Sequence, residues 1–139
     1  MAYVNTARFA KSVTLPISLP QTELRRGRSL RITSWNLRAG ERLELRSLAL
    51  QVLKILTPGP LPEYTNTALG AASVGLYLGE TLTSPIAWAF VGSVGTASTN
   101  PFNVRRVITP GLYTVIISNN TSNLDLSVCA TGCMRLYSL

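Results

Sequence analysis

From Ser29 to the end of the chain, apolar and polar residues alternate one for one, in short runs cut by proline and glycine. A period of two puts successive side chains on opposite faces of an extended backbone, so this pattern specifies half-buried strands. Leu30, Ile32 and Ser34 alternate with Arg31, Thr33 and Trp35, and Arg38-Ala39-Gly40-Glu41 then reads as a turn. Leu43 and Leu45 continue the alternation, but beyond Ser47 the parity flips to Leu48, Leu50 and Val52. One extra residue in the strand produces such a flip, so a β-bulge is expected near Ser47. Leu45, Leu48, Val52 and Ile55 also fit a helical period. Strand is preferred, because the flanking runs alternate cleanly and Thr57-Pro58-Gly59-Pro60 stops the segment abruptly.

The remaining runs follow the same logic. Residues 57–72 form a long Pro/Thr/Asn/Ala-rich loop, a length that usually marks function or mobility. Val74, Leu76 and Leu78 mark a strand whose other face carries Gly75, Tyr77 and Gly79. Ile86, Trp88 and Phe90 mark the next, followed by a Gly/Ser/Thr loop over 92–101 and a short strand from Val104 to Ile108. Leu112 to Ser118 is apolar on both faces, as a central strand is. Asn119 to Asn123 is a polar hairpin tip, although it contains two N-glycosylation patterns, and Leu124 to Leu136 alternate without a parity change. About eight strands at this spacing predict an all-β fold, an antiparallel β-sandwich of jelly-roll type, with a small barrel as the alternative.

The N-terminal part departs from the pattern. Pro16 and Pro20 interrupt any strand, leaving Val13-Thr14-Leu15 and Ile17-Ser18-Leu19 room only for short edge pairing, and Arg25-Arg26-Gly27-Arg28 closes the segment. The expected division is a basic extended arm over 1–28, dispensable for folding, and a sandwich over 29–139. Residues 1–56 hold ten Lys and Arg against three Glu, while the rest of the chain is balanced. Eleven of the thirteen cations are Arg, the residue suited to bidentate interface contacts. Arg25, Arg26, Arg28 and Arg31 are therefore the candidate docking residues of the arm. Nucleic acid is not expected as the main partner, because no aromatics interleave with these arginines and no helix is available to enter a groove.

The chain contains no histidine and only six acidic residues, so neither a Ser-His-Asp nor a Cys-His arrangement can be built. Glu41 and Glu44 stand among Arg38, Arg42 and Arg46 and read as paired surface charge. An enzyme is not expected, and neither is a cofactor or a metal, since Cys129 and Cys133 alone supply too few ligands for zinc. The two cysteines lie on one long final strand bent at Gly132, where they cannot bond to each other. The competing arrangement is a three-residue hairpin of Ala130, Thr131 and Gly132 that sets them opposite. Trp35, Tyr64 and Tyr77 form a candidate set of surface aromatics, which in a carbohydrate-binding module would stack on sugar. Met1 to Lys11 lacks the apolar core of an export signal, and no stretch reaches the roughly 18 apolar residues of a membrane helix.

The run GLYTVIISNNTSNLDLSVCATGCMRLY from Gly111 resembles the closing strands of small β-sandwich structural proteins of phage particles. The segment AGERLELRSLALQV, Ala39 to Val52, is similar to their opening strands. The likeness covers about half the chain and transfers no specific binding residue. It implies a decoration (cement) or tail-associated role. The expected function is thus a non-enzymatic virion structural protein, homo-oligomeric, whose partners are other virion proteins. A carbohydrate-binding module and a basic nucleic-acid-binding protein are the alternatives.

Overall fold

The computed structural model describes residues 11–56, 72–79, 86–91, 97–99, 105–121 and 124–138. Among these, every regular element is a strand: β1 (Lys11–Leu24), β2 (Ser29–Leu37), β3 (Arg42–Ile55), β4 (Ala72–Leu78), β5 (Ala87–Val91), β6 (Ala97–Thr99), β7 (Arg105–Val107), β8 (Gly111–Asn119) and β9 (Leu126–Ser138). They form two antiparallel sheets, one in the order β1-β9-β3-β6 with β7 also on β3, the other in the order β2-β8-β4-β5. β6 pairs with Ala49–Gln51 and β7 with Leu43–Leu45, so the two act as one interrupted rung beside β3. Four rungs then face four, with the chain passing repeatedly between sheets, which is jelly-roll order.

The core lies between the sheets. Leu43, Leu45, Leu48, Leu50 and Val52 of β3 and Leu126, Val128, Met134 and Leu136 of β9 meet Val74, Leu76, Tyr113, Val115 and Ile117 from the opposite layer. The helical alternative for Leu45 to Ile55 fails because β9 pairs along the whole segment. The expected bulge is present: register shifts between Leu45 and Ser47, leaving Arg46 unpaired. Leu45 and Leu48 both face inward as a result, although three residues apart. β8 lies between β2 and β4, and its residues Tyr113 to Asn119 are buried on both faces. β6 falls within the stretch expected to be loop. The expected loop over 57–72 lies outside the described residues up to Ala72, where β4 begins.

The N-terminal segment is the main correction. From Lys11 it is no arm but a fourteen-residue strand, paired with β9 from Lys11↔Ser138 to Leu24↔Leu126. Ile17 and Leu24 are buried in the core. The prolines do not stop the strand because β1 is the outer rung of its sheet among the described strands, a place where a residue without an N–H is tolerated. Pro20 falls in the register shift between Leu19 and Thr22, where pairing lapses. Lys11–Leu24 therefore belongs to the sandwich, and Ser29 opens β2.

β9 runs unbroken from Leu126 to Ser138, and Cys129 and Cys133 are both free. Gly132 marks a close approach of β9 to β3. A Cβ there would overlap the carbonyl oxygen of Ser47 and lie 3.2 Å from Leu48 Cα, at the β3 bulge.

Candidate functional site

Arg42, Glu44 and Arg46 occupy alternate positions of β3, so one strand face carries a carboxylate between two guanidiniums. The sheet adds neighbours that sequence order hides. Glu44 pairs across the ladder with Arg135 of β9 on one side and Arg106 of β7 on the other. Tyr137 stands opposite Arg42 in the adjacent row. This cluster occupies the outer face of the β1-β9-β3 sheet, away from the core.

Glu44 is at its centre. Its carboxylate lies 2.9 Å from Arg46 Nη2, 2.9 Å from Arg106 Nε and 3.3 Å from Arg42 Nε. Arg46 also donates to the Tyr137 hydroxyl at 2.8 Å, and the Arg42 guanidinium lies 4.6 Å from the Tyr137 ring centroid. Arg135 donates to Ser12 Oγ at 3.3 Å, tying in β1. Glu44 is only 2% exposed, while Arg46 and Arg106 are 42% and 63% exposed. The acid is covered by its bases, and the bases face outward. Burial pushes the Glu44 carboxyl up, but the Arg106 hydrogen bond and the charges of Arg42, Arg46 and Arg106 outweigh it and hold the group below the usual carboxylate range. Glu44 is thus not the exposed paired charge read from the sequence. The bulge at Arg46 and the rung from β7 close over it.

The predicted docking arginines lie in and just after the turn between β1 and β2, and two of them face acids of this chain. Arg25 pairs with Glu23 at 3.2 Å. Arg26 clasps Asp125 through its backbone N–H at 3.0 Å, Nε at 3.1 Å and Nη2 at 3.2 Å. The side-chain and backbone hydrogen bonds from Arg26 hold the Asp125 carboxyl below its usual range. The tight turn needs Gly27 at positive φ, with Arg28 N–H donating to Arg25 O, and it is fixed by Arg26 to the start of β9. Arg28 and Arg31 are exposed beside it. Two of the four arginines are therefore fastened to acids of this chain.

The aromatic set also separates. Tyr77 is 3% exposed, because β4 is a central strand buried on both faces, and burial pushes its hydroxyl pKa up. Trp35 packs half-buried against the core, since a register shift between Arg31 and Thr33 turns it to the same side as Leu37. Its indole N–H finds no partner among the described residues. Tyr64 lies outside the described residues. No sugar-stacking platform is formed by Trp35 and Tyr77.

Asn119, part of a glycosylation pattern in the sequence, is instead a buried tie. Its Nδ2 donates to Leu24 O at 2.9 Å and Leu124 O at 2.8 Å, and its Oδ1 accepts from Thr121 N–H and Oγ1. Among the described residues, no cluster of three or more His, Cys, Asp or Glu is placed to hold a metal.

The fold and this surface define an all-β jelly-roll sandwich with an arginine-rich outer sheet face. No protein-family model matches the chain, and no curated protein matches it. Among solved structures it is similar to a chain of Bacillus endospore appendages, described as disulfide-linked pili, with a TM-score of 0.44, 12% identity and 99% of both chains covered. It is also similar to a chain in the structure of infectious bursal disease virus, Gx strain, with a TM-score of 0.44 and 16% identity. There the alignment covers 92% of this chain but 32% of the viral one.

Proposed function

We propose that the protein is a non-enzymatic structural subunit of a virion, a capsid decoration or cement protein that joins neighbouring subunits and assembles as a homo-oligomer. The observation that carries this reading is the position of β1. It is the outer rung of its sheet, a fourteen-residue strand with β9 on one side and no strand on the other among the described residues. Such an edge is a template for a strand of another subunit. Pro16 and Pro20 break its donor row, which limits indiscriminate pairing and leaves Lys11–Leu15 and Ile17–Leu19 for a specific partner. Val13, 51% exposed, adds apolar surface to that contact.

The chemistry of the acids supports the non-enzymatic part. Glu44 and Asp125 are held ionised by arginines, so neither offers a proton near neutral pH. The test is to purify particles from the source cells and image them with this protein gold-labelled. Regular labelling of the capsid surface is expected. Particles that lack the protein by mass spectrometry and labelling would overturn the proposal.

A further inference from the structure

The arginines around Glu44 are more numerous than that carboxylate can satisfy. A guanidinium carries five N–H donors, whereas a carboxylate offers about four acceptor positions, so Arg46 and Arg106, which share Glu44 with Arg42, keep donors beyond their bonds to Glu44 and Tyr137. The excess is directed outward, since Glu44 is 2% exposed and Arg106 is 63% exposed. These side chains are also held in place. Arg46 is bonded to both Glu44 and Tyr137, and Arg106 is bonded to Glu44. A fixed guanidinium loses little conformational entropy when it binds again, and its planar fork matches a carboxylate.

We propose that this end of the outer face of the β1-β9-β3 sheet docks a carboxylate-rich surface of a different protein. The inference rests on the reading of the chain as a structural subunit and names the chemistry of one of its neighbours. A second copy is a poor occupant. Four of the six acids are described, and each is engaged within its own chain: Glu23 by Arg25, Glu41 by the Arg38 N–H, Glu44 by its arginines and Asp125 by Arg26. A second copy, with a formal net charge of +7, therefore brings more cation than carboxylate, and only Glu23 and Glu41 of its described acids are singly engaged. Single-stranded nucleic acid is disfavoured by the aromatic. Tyr137 is the one aromatic on this face among the described residues, and Arg42 stacks on its ring, where a base would otherwise lie. Arginine and tyrosine are side chains that protein interfaces favour.

The test measures binding of a fluorescent decaglutamate peptide and of mixed-sequence oligonucleotides, single- and double-stranded, by anisotropy at low salt. The proteins are the native chain, Arg106→Gln and the double variant Arg46→Gln/Arg106→Gln, each checked for a cooperative melt. Decaglutamate is expected to bind the native chain more tightly than either oligonucleotide, and to lose about tenfold in affinity in the double variant and less in the single one. If the double variant fails to melt cooperatively, the single variant decides alone. Unchanged decaglutamate affinity in a folded variant overturns the proposal. Tighter oligonucleotide binding that the same substitutions abolish also overturns it and assigns the face to nucleic acid. Purified particles separate this inference from the function it rests on. A folded double variant retained on particles at the native level removes the face from docking while the structural role stands. A native chain absent from particles, with the peptide result intact, does the reverse.

Discussion

Glu44 is the residue whose surroundings most exceed what its neighbours in sequence announce. Its ordinary pKa as a free carboxyl is about 4.3, and in the fold it lies lower. The stabilisation it supplies is therefore complete above that range and is lost as pH falls through the folded value. Glu44→Gln should lower stability by about 2 kcal/mol at neutral pH, by removing charge-assisted hydrogen bonds from Arg46 and Arg106 and the ion pair with Arg42, all three partly exposed. Thermal melts of both proteins from neutral pH into the acid range check this. The gap should be constant above the carboxylate range and close below it, and a gap that widens in acid would contradict the assignment. Asn119 acts through a different economy of bonds, all neutral and all buried. Asn119→Ala leaves the Leu24 and Leu124 carbonyls without that donor and should cost about 2–3 kcal/mol, read as a shift of the urea midpoint at unchanged slope.

At the scale of elements, β3 and β9 form one unit, with the β3 bulge and Gly132 fitted to each other. Gly132→Ala forces a methyl group against the Ser47 carbonyl, and backbone must move to admit it. Overpacking of this kind costs about 1–3 kcal/mol, so the variant should melt lower in a thermal scan, against the gain that replacing glycine brings in a strand. β9 also settles the cysteines. Residues four apart on an extended strand are separated by about 13 Å, against the roughly 7 Å limit for a disulfide. Thiol titration of the denatured, unreduced protein should count two free thiols per chain, and none on a monomer would mean a hairpin instead of the continuous strand. The face of β3 bearing Arg42, Glu44 and Arg46 was legible from its period of two. The contributions of Arg106, Arg135 and Tyr137 were not, because they arrive from strands distant in sequence and no local pattern encodes which strand becomes whose neighbour.

For the whole molecule, the pairing of β1 with β9 joins the two ends of the described chain, Lys11 with Ser138. Deleting residues 1–28 removes that rung and uncovers the core at Ile17 and Leu24, each side chain contributing about 1.5–3 kcal/mol. Together with the lost ladder this is comparable to the total stability of about 5–15 kcal/mol of an ordinary domain. The truncated chain should lose its cooperative thermal transition. Retention of a native-like melt without β1 would mean that β9 tolerates a free edge.

The period of two, the proline and glycine turns and the parity flip at Ser47 determined most of the strands, the β3 bulge and the two-layer class, because each is a local rule read over a few residues, whereas β1 and β6 escaped them. Strand β8 was recognisable as central for the same reason, being apolar on both faces. What lay beyond local rules was decided by the sheets. Pro16 and Pro20 read as breaks until β1 takes the outer rung among the described strands, where a residue without an N–H is tolerated. Trp35 reads as outward until a register shift turns it in, and Tyr77 reads as open until β4 is found in the middle of its sheet. Arg26 reads as a docking residue until the β1–β2 turn meets Asp125, and Glu44 reads as surface charge until β7 and β9 flank it. In each case the side chain's fate depended on a partner many residues away, and only the closed jelly roll brings that partner within reach.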